Sequence, residues 1–228
     1  MSSSPKTGSC CGFDVTAPPA ADPNASALDR IAARIRACRI CIDEPKGTPL
    51  PHEPRPVLRV SGTARVAVAG QAPGTRVHKS GVPFTDPSGV RLRAWMGVTE
   101  AEFYDQSRIA IVPMGFCFPG LDANGGDRPP RRECAPAWRA ELFQAMPRVR
   151  LVLAVGQYAH WWHLPGTRRP VTETVRRFGT EAKQGGAVRC LPLPHPSWRN
   201  SGWLKTNPWF ETDVLPVLRA EVRRLIAS

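Results

Sequence analysis

The chain has 228 residues and 42% apolar content, enough for one large domain with a real core, so global disorder is excluded. No apolar run approaches the ~18–20 residues of a membrane helix, and the opening Met1-Ser2-Ser3-Ser4 lacks the charged-then-apolar pattern of a secretion signal, so a soluble, cytoplasmic protein of bacterial type is expected. The net charge of +12 points to a polyanionic partner, nucleic acid first.

Residues 1–23 are small, polar and proline-containing, and read as a disordered tail ahead of a folded unit at 24–228. Asn24 or Ser26 caps a helix with Leu28, Ile31, Ile35 and Cys38 on one face, ending near Cys41. Five prolines between 43 and 61 dictate an extended surface loop. Ala64–Ala69 is the first strand. The following Gly70–Gly89 is too long for a plain connector, and its glycines and prolines argue against a regular element within it. Further strands are expected at 108–112, 149–155 and 187–193. Helical patterns lie at 90–97, 100–107, 133–145, 157–163 and 170–178. Asp213 caps a last helix with Val214, Leu218, Val222 and Leu225 on one face. Short apolar strands alternating with helices imply a three-layer α/β/α sandwich around a central, mainly parallel four-stranded sheet.

In such folds, ligands bind where loops leave the carboxyl ends of strands. Gly70-Gln71-Ala72-Pro73-Gly74 is one such loop, and His195-Pro196-Ser197-Trp198-Arg199-Asn200 is another. The first is neither a dinucleotide fingerprint nor a phosphate loop, and by itself reads as a rigid turn. Taken together, the two segments resemble the paired motifs of the uracil-DNA glycosylase superfamily. Gly81-Val82-Pro83-Phe84 and Gly156-Gln157-Tyr158-Ala159 extend the likeness over roughly residues 28–226. The resemblance implies a repair enzyme that flips uracil out of single- or double-stranded DNA and hydrolyses its N-glycosidic bond, leaving an abasic site. It implies a monomer that meets the base with Gly70, Gln71, Ala72, Pro73, Gly74, Met114, Gly115 and Asn200, and stacks Phe84 on it.

The reaction passes through an oxocarbenium-like sugar while negative charge builds on the departing base. His195 occupies the family position of the hydrogen-bond donor to uracil O2. Two departures stand out. Ala72 replaces the acid that much of the superfamily carries there. Phe84-Thr85-Asp86-Pro87-Ser88-Gly89 resembles a family 5 segment with an aspartate, which makes Asp86 the catalytic candidate, with Asp122 and Asp127 in reserve. Asp before Pro is also an ordinary helix N-cap. Pro113 stands where the family places a base-reading asparagine. For DNA contact the resemblance points to Trp198 and Arg199 as a wedge, supported by Ser197, Lys205, Arg128 and Arg131, with Arg132 beside them.

Seven cysteines in a chain read as cytoplasmic favour metal binding over a disulfide framework. Cys38-x-x-Cys41, Cys117 and Cys134 look like the ligands of the iron–sulfur branch, families 4 and 5, implying a structural [4Fe–4S] cluster. A zinc site made of four cysteines has the same footprint. Cys10 and Cys11 fall in the tail and Cys190 in a strand. His160 and His163, three apart, read as surface and packing residues. Two other functions fit parts of this pattern: a protein of the same fold that recognises or traps uracil-DNA with little turnover, and a redox-sensing module built on the cysteines.

Overall fold

The computed structural model describes residues 25–164, 168–179 and 188–227. The expected tail, Cys10, Cys11, Asn24 and Ala187 lie outside them.

Four short strands, β1 (Val66–Ala69), β2 (Ile109–Ile111), β3 (Leu151–Val155) and β4 (Arg189–Leu193), form one parallel sheet in the order β2-β1-β3-β4. Strand periodicity separates large side chains from small ones. Val66, Val68, Ile109, Ile111, Leu151, Leu153, Leu191 and Leu193 face one layer, whereas Ala67, Ala69, Ala110 and Ala154 face the other. Against the bulky face pack α4 (Pro87–Met96), α5 (Glu100–Tyr104) and α10 (Leu215–Ile226), through Leu92, Met96, Phe103, Leu218 and Val222. Over the alanine face lie α1 (Ala27–Arg36) and α6 (Cys134–Gln144), which fill the space with Ile31, Ile35, Trp138 and Leu142. Each fully buried Leu, Ile or Phe contributes about 1.5–3 kcal/mol over its exposed state. The three-layer sandwich expected from the sequence is the architecture observed.

Both sheet edges are blunted. The proline-rich loop returns at Arg59, which exchanges backbone hydrogen bonds with Ile111 (3.0 and 2.7 Å). At the other edge, β4 carries Pro192, which an edge strand tolerates because one side needs no donor.

Several boundaries differ from expectation. Ser26 caps α1 through a capping box with Asp29, but the helix stops at Arg36 and the chain re-forms a short α2 (Ile40–Asp43) around Cys41. The Gly70–Gly89 stretch contains a helix after all, α3 (Thr75–Ser80), which starts at Gly74 and stops at Gly81 with φ 74°. Following β3 and leading into β4 come α7 (Gln157–His163) and α8 (Val171–Phe178). After His195 a 3-10 turn (Trp198–Asn200) runs into α9 (Ser201–Thr206). Asp213 caps nothing: it sits inside a π-helical turn (Phe210–Val214) that leads into α10. Among the described residues no helix is long and apolar enough to cross a membrane.

Candidate active site

The loop after β1 is built by close backbone approach. A Cβ on Gly70 would lie 3.2 Å from Phe84 Cζ, so the Phe84 ring sits directly against it. Phe84 has φ 57°, the one positive φ outside glycine among the described residues. This left-handed conformation is unfavourable for an aromatic residue and is sustained only by its surroundings. The Tyr104 hydroxyl donates to the Pro83 and Phe84 carbonyls (2.8 and 3.1 Å), and Arg93 Nη1 to the latter (3.3 Å). The Phe84 ring meets Phe103 edge-on at 5.9 Å. Gly156, at φ 83°, leaves room for Gln71, whose Nε2 would stand 2.7 Å from a Cβ there.

One pocket, about 540 Å³ including its open mouth, is lined by Gly70, Gln71, Ala72, Pro73, Gly74, Phe84, Asp86, Pro113, Asp127 and His195. The two sequence segments therefore meet as expected. Asp86 is the N-cap of α4: its Oδ1 accepts from Gly89 N (3.2 Å) and Ser88 Oγ (2.5 Å). Both bonds fall on Oδ1, and no protein donor among the described residues bonds Oδ2. Capping thus leaves one carboxylate oxygen uncommitted in the pocket. Burial pushes the His195 imidazole below its ordinary pKa, with nearby Asp86 opposing in part, so the ring is neutral at neutral pH.

Asp127, held in reserve from the sequence, is a second carboxylate in this pocket. Its Oδ2 lies 3.1 Å from where a Gly74 Cβ would stand. Burial raises its pKa, Arg199 opposes that, and the negative charges of Asp86 and Asp122 reinforce it. It belongs to neither motif segment and sits at the foot of a small loop closed by the Leu121–Asp127 bridge, which local sequence does not announce. Asp122 organises that loop, its Oδ1 accepting from Asn124 N and Gly126 N (both 2.8 Å), and lines neither the pocket nor the groove beside it.

The pocket opens into a groove lined by Gln71, Asp86, Asp127, Arg128, His195, Ser197, Trp198, Arg199 and Asn200. Trp198 is 72% exposed, with the Arg199 guanidinium 5.8 Å from its ring centre. Neither Arg128 nor Arg199 forms a salt bridge among the described residues.

Other expected contacts have partners within the fold or lie outside the groove. The Met114 and Gly115 N–H groups donate to the Gly70 and Gln71 carbonyls (2.8 and 2.9 Å), so they brace the loop and are not free to read a base. Asn200 Nδ2 donates to the His195 carbonyl (2.7 Å), which makes it a support for His195. Lys205 lies on α9, outside the groove lining. Arg131 is committed to Glu133 (2.7 Å) and the Thr48 carbonyl (2.7 Å) and is not a free phosphate contact.

Arg131 lines a separate cavity of about 330 Å³, on which Cys38, Cys41, Cys117 and Cys134 all converge. Burial pushes the Cys41 thiol to about 11 and that of Cys117 to about 12. The Phe116 N–H donates to Cys134 Sγ at 3.3 Å. Among the described residues no group of three or more His, Cys, Asp or Glu side chains forms a site for a single metal ion. Cys190 sits on the alanine face of β4, apart from this cavity. His160, read from sequence as a surface or packing residue, is buried, and its Nε2 bonds the Ala154 and Leu193 carbonyls (3.1 and 3.0 Å) at the ends of β3 and β4.

Among solved structures, the chain is similar to a solution NMR structure of a candidate uracil DNA glycosylase from Methanosarcina acetivorans. The identity is 15% and the TM-score 0.42, over 72% of this chain and 94% of that one. The family model described as the uracil DNA glycosylase superfamily matches residues 59–219, from the edge bridge at Arg59 to within α10, and includes every pocket residue named above. That match covers well over half of the sequence, and the chain belongs to the uracil DNA glycosylase superfamily.

Proposed function

We propose that the protein is a monofunctional glycosylase that removes uracil from DNA and leaves an abasic site. The observation carrying this reading is the meeting of Asp86 and His195 in one pocket that opens onto the Trp198–Arg199 groove. An extruded base enters against the Gly70–Gly74 backbone and the Phe84 ring. The C1′–N1 bond breaks with its electron pair moving onto the base, water adds at C1′, and the water's proton balances the departing uracil anion. Neutral His195 offers a ring N–H to the developing charge on O2, a donor worth about 3–4 kcal/mol in comparable oxyanion sites. The uncommitted Asp86 oxygen stabilises the sugar cation and orients the water. Trp198 fills the gap in the base stack, with Arg199 and Arg128 on phosphates.

The cysteine cavity fits a [4Fe–4S] cluster, because its converging metal-binding side chains are all thiols and Phe116 N–H already supports one sulfur. Cys38, Cys41, Cys117 and Cys134 would hold it, and the cluster would supply a rigid link between α2 and the start of α6. A second reading, uracil recognition or trapping with little turnover, is favoured by one observation: Ala72 lines the pocket where an acid would stand.

Single-turnover excision by wild type, Asp86→Ala and His195→Ala separates these readings. The glycosylase reading expects loss of about 10²–10³-fold in rate for His195→Ala and a comparable loss for Asp86→Ala, with DNA affinity retained. Full activity in Asp86→Ala would transfer its role to Asp127, and a retained protein–DNA adduct from wild type would favour trapping.

A further inference from the structure

Arg139, on α6, is the largest fully buried side chain among the described residues, at 1% exposure. A buried guanidinium ordinarily has a carboxylate beside it. This one forms no salt bridge among the described residues. Its Nη1 donates to the Val112 and Pro113 carbonyls, both at 2.9 Å, and its Nη2 lies 2.6 Å from His163 Nε2. Burial lowers its pKa to about 10, which still leaves it charged at neutral pH. Burial and the Arg139 charge together hold His163 down to about 3, so the imidazole is neutral and Nε2 accepts. Phe143 completes the arrangement, 5.1 Å from the guanidinium and edge-on to His163 at 5.6 Å.

The two carbonyls belong to the segment that leaves β2 and forms the wall of the pocket at Ile111 and Pro113. From the other side that segment is tied to the Gly70–Gln71 backbone through the Met114 and Gly115 N–H groups. Pro113 has no N–H, so its carbonyl is its one backbone handle. A buried guanidinium with no carboxylate partner among the described residues, only the thiols of Cys134 and Cys190 near it, is spent on two carbonyls of a pocket wall, and that has a structural cost an apolar side chain would avoid. We propose that Arg139, fixed by His163, is a positioning residue that holds the Val112–Pro113 wall and thereby sets which base the pocket accepts. This rests on the reading of the pocket as a uracil site. It also gives His163 a role that helical packing alone does not.

The test compares binding of two duplexes, one with hydrolysis-resistant 2′-fluoro-2′-deoxyuridine and one with thymidine at the same position. Wild type, Arg139→Lys, His163→Ala and His163→Gln are measured alongside their melting temperatures. His163→Ala and Arg139→Lys are expected to lose about tenfold in discrimination, the scale of a small misplacement at a binding site, with thymidine-duplex affinity unchanged. His163→Gln keeps an acceptor for the guanidinium and restores the wild-type ratio. Wild-type discrimination in His163→Ala, or equal loss of affinity for both duplexes, overturns the proposal, and this variant decides if Arg139→Lys does not fold. A wild type unable to discriminate overturns the uracil reading itself, and the proposal with it.

Discussion

Asp86 and Phe84 carry the local logic of the pocket in different ways. The dual character of Asp86 is legible in the sequence, since Asp-Pro marks an N-cap and the surrounding motif marks a site. The structure reconciles the two by placing both capping bonds on one oxygen. The left-handed backbone of Phe84 is not legible, because nothing in an aromatic residue favours φ 57°. It depends on tertiary partners, Tyr104 and Arg93, and on the bare Cα of Gly89. A Cβ on Gly89 would stand 1.8 Å from the Phe84 carbonyl oxygen, a backbone atom that cannot step aside. Gly89→Ala is therefore expected to destabilise the fold by about 1–3 kcal/mol, as overpacking does. Denaturant unfolding measures this, and an unchanged midpoint would contradict the packing described.

At the scale of elements, strands and long helices are readable because their apolar periods are strong, and Leu218 with Val222 identifies α10 despite the misplaced cap at Asp213. Helix α3 escapes the sequence because six residues between two glycines give too short a period to register. The 3-10 turn and α9 after His195 escape it for a similar reason, since Ser, Gly and Trp make a weak helical pattern. What holds that segment is long-range: Arg91 of α4 donates to the Ser197 carbonyl (2.7 Å) and to Ser201 Oγ (3.2 Å). Arg91→Ala should release the Trp198 tip, lowering single-turnover excision about tenfold or more through misplacement while the melting temperature moves little. Equal loss of rate and stability would mean that the contact serves folding alone.

For the molecule as a whole, the basic charge divides into two populations. Arg131, Arg169, Arg223 and Arg224 pair with Glu133, Glu173, Glu102 and Glu221, so part of the arginine charge is spent internally. The groove keeps Arg128 and Arg199, and these with Ser197 and Trp198 are the part of the expected footprint that the fold assembles. Four cysteines from three separate stretches of sequence meet on one cavity, as their order suggests; that Arg131 lines this cavity and not the groove is beyond any local pattern. Purified protein should carry roughly four iron atoms per chain and absorb in the visible as a [4Fe–4S] protein does; a colourless, zinc-loaded protein would refute the cluster. Hydrolysis of the N-glycosidic bond in this pocket is measured most simply by incubating wild type with a uracil-containing oligonucleotide and weighing all products by mass spectrometry. Free uracil and a full-length strand bearing one abasic site are expected, both forming about 10²–10³-fold more slowly with His195→Ala; an intact strand, or a strand covalently attached to the protein in place of the free abasic strand, would contradict hydrolysis.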